Sequence, residues 1–259
     1  MNAAAPLFFA SHAGDWPSVN ASGHVWRPRL SDPMSSSMPN GSRTEGGAVP
    51  SAVVNRLSMY LRELHHLLAD GKQTISSSQL GRRLGFTDAQ VRKDLAHFGH
   101  FGHPGIGYRC DELIDEIRKI LGTDRQWNVG LVGVGNLGHA LLGYKGFASQ
   151  GFRIVAAFDA DPAKQGQDID GVPVYSSASL AEEVRRLRID LGIIAVPATY
   201  AQATADMLVA AGVSGILNFA PFTVSVPEGV SKVGVDLARE LEQVTFSVMS
   251  RLRAAAEPS

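Results

Sequence analysis

The chain has a single cysteine, Cys110, so no intrachain disulfide can form and no cysteine-based zinc cage can be built. Long apolar runs are missing too. No stretch of about 18 uninterrupted apolar residues occurs, and no basic region precedes the short Pro6-Leu-Phe-Phe-Ala10 run near the start. Both a spanning helix and a secretory signal are therefore disfavoured. The sequence reads as cytoplasmic, with neither membrane nor metal among its partners. Charge is sparse, at 19% of residues with a net of -1, while 44% are hydrophobic. That is enough apolar material for ordinary cores and too little charge for a wholly disordered chain. A length of 259 residues favours two domains.

The small net charge hides a segregation. Residues 51–122 hold ten basic and eight acidic side chains, whereas residues 123–259 hold eleven and fourteen. Between Lys72 and Arg109 six Lys or Arg stand against only Asp88 and Asp94, before His97, His100 and His103 are counted. A basic patch in a mildly acidic protein points to a local polyanion contact, although a solvated face reads the same way. Residues 1–50 contain six Pro, eight Ser and five Gly without periodicity and are expected to form a disordered tail, with Met34 or Met38 as possible true starts.

From Val53 the pattern changes. Val54, Leu57, Leu61, Leu64 and Leu68 recur at helical spacing up to Asp70-Gly71. A short helix capped by serine follows over 76–85. Thr87 and Gln90 then form a candidate capping box opening a helix to Phe98. Two short helices across a tight turn make a helix-turn-helix, whose second helix enters the DNA major groove, although a plain helical hairpin fits this stretch equally. Gln90, Arg92 and Lys93 suit that task, since Gln pairs with adenine while Arg and Lys reach guanine edges or phosphates. The glycine-rich run from Gly99 to Tyr108 is a candidate wing, or else a connector to the helix at 111–121. The expected DNA-facing set is Ser76, Ser77, Gln90, Arg92, Lys93, His97, His103, Gly105 and Tyr108.

At Trp127 the chain changes character again. A buried strand runs into Gly133-Val-Gly135-Asn-Leu-Gly138, a helix start follows, and a second strand ends at Asp159, 21 residues after Gly138. This context gives the G-x-G-x-x-G pattern its force as a dinucleotide fingerprint. Gly133 allows the turn, Gly135 admits the pyrophosphate, Gly138 lets helix pack on strand, and the helix N-terminus offers amide donors. Asp159 is expected to accept from the adenosine ribose and to repel a 2'-phosphate, favouring NADH and NAD+ over NADP. Further strands at 172–175, 191–196, 215–219 and 232–235 alternate with helices at 180–187 and 201–211, which means a parallel doubly wound sheet. The expected cofactor set is Gly133, Val134, Gly135, Asn136, Leu137, Gly138, Asp159, Lys164, Val196, Pro197, Asn218 and Phe219. In a final helix Leu237, Leu241, Val244, Val248 and Leu252 line one face, for packing on its own domain or on a partner subunit.

An NAD-dependent oxidoreductase with an accessory N-terminal helical domain is the alternative function. It needs an acid or base beside the hydride. After His139 there is no His and no Cys, and the later lysines are Lys145, Lys164 and Lys232 alone. No catalytic residue is assigned.

The chain resembles the Rex family of redox-sensing transcriptional repressors from about Pro50 to the last helix. The matching stretches are Arg56-Leu-Ser-Met-Tyr-Leu-Arg62, Gln90-Val-Arg-Lys-Asp-Leu95, Gly105-Ile-Gly-Tyr108, the glycine turn, Tyr144-Lys-Gly-Phe147, Phe158-Asp-Ala-Asp-Pro162, Gly215-Ile-Leu-Asn-Phe-Ala-Pro221 and Val235-Asp236-Leu237. The resemblance implies an α/β protein with a winged helix-turn-helix over 51–122, a Rossmann domain over 123–236 that senses the NADH to NAD+ ratio, and a helix over 237–259 exchanged between the subunits of a homodimer. It implies release of double-stranded operator DNA by reduced cofactor. It also implies that Arg62, Tyr144 and Asp236 exchange polar contacts between the two states. The chain departs from the family in the wing, where His103-Pro104 stand in place of a Lys or Arg. Asn136 is likewise neutral where a cation can face the pyrophosphate. Cys110 beside the wing is expected to be a buried, inert thiol.

Overall fold

The structure, a computed structural model, describes residues 49–103 and 105–256. The tail expected over 1–50 lies outside the described residues except for its last two, as does Pro104 of the wing. The described residues form two compact units that meet in sequence at Gln126 and Trp127, four residues beyond the boundary expected after Gly122.

The first unit runs α1 (Ser51–Ala69), β1 (Thr74–Ile75), α2 (Ser77–Leu84), α3 (Asp88–Ala96), β2 (Tyr108–Arg109) and α4 (Cys110–Leu121). One stripe of α1, namely Val53, Leu57, Tyr60, Leu64 and Leu67, packs with Leu113, Ile114 and Ile117 of α4. Leu80, Val91 and Leu95 close this core from α2 and α3, and Cys110 is buried in it. The α2–α3 turn is tight enough to require glycine at position 81, where a Cβ would stand 2.5 Å from the Phe86 carbonyl oxygen. The two-residue strands pair antiparallel, with Ile75 opposite Tyr108. Between α3 and β2 the wing closes on itself: the His103 amide donates to the Gly107 carbonyl at 2.8 Å and the Gly107 amide returns to His103 at 3.0 Å.

Helix capping differs from the sequence expectation. The complete capping box is at α2, where the Gln79 amide nitrogen of the backbone donates to Ser76 Oγ and Gln79 Oε1 accepts from the Ser76 amide. At α3 only half of the expected box is made. Thr87 Oγ1 accepts from the Gln90 amide at 3.1 Å, but the Gln90 side chain turns to Asp94 instead of back to Thr87.

The second unit runs β3 (Trp127–Val132), α5 (Asn136–Leu142), α6 (Gly146–Ser149), β4 (Phe152–Asp159), β5 (Asp168–Ile169), β6 (Val172–Ser176), α7 (Leu180–Arg186), β7 (Leu191–Ile194), α8 (Ala198–Ala211), β8 (Gly215–Asn218), β9 (Ser231–Gly234) and α9 (Leu237–Ala256). The sheet order is β5-β6-β4-β3-β7-β8-β9. The six strands from β6 to β9 are parallel and reproduce the doubly wound order, with its reversal between β3 and β7. The short β5 is an unexpected addition. It folds antiparallel onto β6 through Asp170 and Gly171, both at positive φ, the geometry of a tight hairpin turn. Phe158, Leu180, Ile194 and Leu208 fill one core of the sheet and Val129, Leu131, Val174 and Ile193 the other.

Register aligns the strand ends. Val132 lies beside Phe158 and Ile194, and Ile194 beside Asn218. The next residue of each strand, Gly133, Asp159, Ala195 and Phe219, therefore stands along one edge of the sheet. The expected apolar stripe of α9 is present, with Leu237, Leu241, Val244, Val248 and Leu252 all exposed and joined by Phe246 and Met249.

Candidate nucleic-acid and cofactor sites

In the first unit the exposed face of α3 carries Ala89, Arg92, Lys93, Ala96 and His97. Arg92 is fixed by an i,i+4 ion pair, its Nη1 donating to Asp88 Oδ2 at 2.8 Å and to Ser77 Oγ at 3.1 Å. This brings the start of α2 to the middle of α3. Asp88 is correspondingly held below the usual carboxylate range by the Arg92 guanidinium and by the Ala89 amide. Ser76, expected to face DNA, has its hydroxyl engaged as the cap of α2 and paired with Ser78 Oγ. Lys93 and His97 point outward, and His97 sets its ring edge against Phe98.

Gln90 is the clearest difference from expectation. Its Nε2 donates to Asp94 Oδ1 at 2.7 Å, so the side chain is not free to choose its partner. Asp94 is wholly buried. It also accepts from Arg56 Nε at 2.6 Å and Nη2 at 2.8 Å, and from Tyr60 Oη at 2.7 Å. Burial pushes the Asp94 carboxyl up, but the Arg56, Tyr60 and Gln90 donors outweigh it and hold it below the usual range. Burial and the neighbouring carboxylate push the Tyr60 phenol well above its ordinary value. This network was missed in the sequence. Its signals were the i,i+4 pairs Arg56–Tyr60 and Gln90–Asp94, but nothing local joins two pairs 34 residues apart.

In the wing, Ile106 is 61% exposed at the tip, while Tyr108 is buried and its phenol raised by that burial. His103 Nε2 stands 3.6 Å from Glu112 Oε2, and Glu112 also pairs with Arg109. The wing is thus tied to the first turn of α4. Gly105 adopts a positive φ of 80° beside the tip. Burial raises the Cys110 thiol, matching an inert core cysteine.

In the second unit the glycine turn sits on the aligned strand ends. Gly133 has φ +97°, and a Cβ there would lie 2.6 Å from the Ala195 carbonyl oxygen. At Gly138 a Cβ would lie 2.0 Å from the Gly133 oxygen, so α5 can approach β3 only because position 138 is glycine. Gly135 is the opposite case: nothing lies within 4 Å of a Cβ built there. Two glycines are required by contact and the third leaves open space at the start of α5, beside exposed Asn136 and Leu137. That arrangement fits a pyrophosphate over helix amides.

Asp159 is buried at the end of β4. Its Oδ2 accepts from the Val134 amide at 2.8 Å and from Lys164 Nζ at 3.1 Å, and its Oδ1 accepts from the Asp161 amide at 2.9 Å. The carboxylate therefore braces the glycine turn from the end of β4. Lys164, 36% exposed in its side chain, partly neutralises it. Val196 packs against Gly133, and Pro197 is the N-cap residue of α8. Asn218, expected at the cofactor, is turned inward. Its Nδ2 donates to the Ala220 and Phe222 carbonyls, and its Oδ1 accepts from the Ala220 amide. It shapes the loop after β8, and Phe219 is half-buried beside it.

Tyr144 is exposed after α5 with its ring edge-on to Phe147 at 5.0 Å. Arg62 is exposed on α1. Asp236 caps α9, its Oδ1 accepting from the Ala238 amide at 3.0 Å and the Arg239 amide at 3.3 Å. Among the described residues no cluster of His, Cys, Asp and Glu fit to hold a metal occurs, and no helix is long and apolar enough to cross a membrane.

Two family descriptions match the chain: a CoA binding domain over residues 124–222, and a putative DNA-binding protein N-terminus over residues 48–96. The redox-sensing transcriptional repressor Rex of Carboxydothermus hydrogenoformans is 48% identical over 79% of this chain and 98% of that protein. Its namesake in Desulfitobacterium hafniense is 48% identical over 78% and 97%. Among solved structures, RSP in complex with β-NAD+ and operator DNA matches with a TM-score of 0.75 at 36% identity, over 82% of this chain and 100% of that one. RSP in complex with β-NADH matches with a TM-score of 0.74 at the same identity and coverage.

Proposed function

The chain belongs to the Rex family of redox-sensing transcriptional repressors, and from that membership we propose how its two units divide the work. It is a DNA-binding transcriptional repressor that senses the NADH to NAD+ ratio and releases its operator when NADH binds. We assign operator binding to the winged helix over 51–122, cofactor binding to the Rossmann domain over 123–236, and subunit association to the helix from Leu237. The observation that carries this division is the joining, in one chain, of a winged helix with exposed Arg92 and Lys93 to a strand-end glycine turn left open at Gly135.

Its relatives are named as repressors, not enzymes. That this chain carries no catalytic residue of its own is our reading, supported by the lack of His and Cys after His139. We read it as a cytoplasmic homodimer, since the exposed stripe of α9 is an apolar face suited to a second copy. On the cofactor side, Gly133 to Gly138 would hold the pyrophosphate. Asp159, Lys164, Val196, Pro197 and Phe219 would line the remaining strand ends, with Asn218 shaping the loop beside them. On the DNA side Arg92, Lys93, His97, His103 and Gly105 would face the duplex with Gln90, while Ser76 and Ser77 bring the start of α2 to it; Tyr108, expected among them from the sequence, instead packs in the core behind the wing.

A cofactor can release DNA only through different affinities for the released and DNA-bound conformations, and the same factor must appear in reverse. Arg62, Tyr144 and Asp236 are the residues we assign to that exchange. The test follows binding of a labelled operator duplex while NADH replaces NAD+ at fixed total nucleotide. Release that tracks the ratio is expected, together with weaker NADH binding when operator is present. Ratio-independent binding would leave a constitutive DNA binder, and steady oxidation of NADH an enzyme. Asp236→Ala should keep both ligands and lose most of the coupling; an unchanged NADH response removes this residue from the switch.

A further inference from the structure

A Gln side chain can present either end of its amide to DNA, and its partners decide which. Asp94 makes that decision here. An ionised carboxylate only accepts, so the group of Gln90 that faces Asp94 Oδ1 at 2.7 Å must be the nitrogen. Three donated hydrogens from Arg56 and Tyr60 keep Asp94 in that acceptor state and fix its plane between α1 and α3. Gln90 Oε1 is left without a hydrogen-bond partner among the described residues, on a half-buried side chain at the edge of the exposed face of α3.

In the major groove, adenine N6 and cytosine N4 are donors, whereas guanine O6 and thymine O4 are acceptors. We propose that Asp94 is a specificity-positioning residue: by holding the Gln90 nitrogen it turns Oε1 outward, so that this position selects a base bearing an exocyclic amine over one presenting a carbonyl. Adenine is the better of the two, because the one remaining Gln90 N–H can also serve its N7. The proposal rests on α3 being the recognition helix. It deepens that reading by assigning a polarity to one contact and a cause to the polarity.

The experiment uses the full chain and a randomised duplex library, sequencing the bound fraction for wild type and Gln90→Ala. A base pair whose preference disappears in Gln90→Ala marks the contact. At that pair the exocyclic amine is then removed, with purine for adenine or 2-pyrimidinone for cytosine, and separately the carbonyl of the opposite base. Gln90→Ala supplies the baseline for weakened base pairing. Loss of the amine should cost wild type about tenfold in affinity beyond that baseline, and loss of the carbonyl nothing beyond it. In Asp94→Asn the new amide nitrogen faces Gln90 and reverses it, so the amine requirement should vanish. Tyr60→Phe removes one donor but leaves the hold on Gln90, and should keep the requirement. A wild-type penalty on carbonyl removal, or an amine requirement retained by Asp94→Asn, overturns the proposal. Should Asp94→Asn not fold, the wild-type and Tyr60→Phe measurements decide. Unchanged base preference in Gln90→Ala is a different failure, because it refutes base reading by Gln90 itself.

Discussion

Asp159→Ala separates bracing of the glycine turn from simple contact with a cofactor. The substitution removes three accepted hydrogen bonds: the Val134 amide at 2.8 Å, the Asp161 amide at 2.9 Å and Lys164 Nζ at 3.1 Å. Val134 is buried, so its amide loses a charged acceptor, at a cost to the stability of the turn of about 1.5 to 3 kcal/mol. Lys164 is more than a third exposed, and its ion pair is worth less than about 1 kcal/mol after solvent screening. NADH would lose in addition the charged acceptor expected for its ribose hydroxyls, worth about 1.5 to 3 kcal/mol. At about 1.4 kcal/mol per tenfold, Asp159→Ala should therefore weaken NADH binding roughly ten- to a hundredfold, whereas Lys164→Ala should cost less than about fivefold. Calorimetric titration of NADH into both variants measures this, with cofactor-free operator affinity as the control for intact DNA binding. Equal NADH affinity for Asp159→Ala and wild type, or a Lys164→Ala loss as large as that of Asp159→Ala, would refute the reasoning.

The remaining predictions rest on other parts of the two units. Gly138→Ala places a Cβ 2.0 Å from the Gly133 oxygen and should abolish NADH binding while operator binding in its absence survives; unimpaired titration would show that α5 can retreat from β3 at no cost. The Asp94 carboxyl is lowered and the Tyr60 phenol raised on folding. The first contributes stability that is present above about pH 4 and lost as pH falls through the folded value; the second contributes stability present below about pH 10 and lost as pH rises. Urea midpoints of wild type should fall at both ends of that window, more steeply at the acid end than in Asp94→Asn and at the alkaline end than in Tyr60→Phe; parallel profiles would remove the network from the pH response. Arg92→Ala and Lys93→Ala should weaken operator binding and leave NADH affinity unchanged, with affinity falling steeply as salt rises; unaltered operator affinity in both would displace α3 from the interface.

The order of strands and helices could be read from the sequence because each is a local pattern. A buried run such as Val129 to Val132 ahead of Gly133, or the spacing from Leu57 to Leu68, needs no distant partner to be recognised. The side chains read differently from expectation are those whose partners lie elsewhere in the fold. Gln90 and Asn218 have the chemistry to reach a ligand, but Asp94 holds the first and the carbonyls of Ala220 and Phe222 hold the second. Asp159 was placed by its spacing from Gly138, yet its bond to the Val134 amide depends on register between β3 and β4. The strand β5 is two residues long and shows no alternation; its turn at Asp170 and Gly171 was the available signal, and it is a weak one without a pairing strand in view.

If the bare stripe of α9 pairs with a second copy, as proposed, repression becomes a matter of protein dosage. Leu237, Leu241, Val244, Phe246 and Leu252 of this helix are each more than half exposed, and in the proposed homodimer a second copy would cover them. While most chains remain single, the paired species would grow as the square of chain concentration, so halving expression would quarter the amount of dimer able to occupy the operator. A cell could then retune the threshold of the response through translation rate alone, with no change in either cofactor.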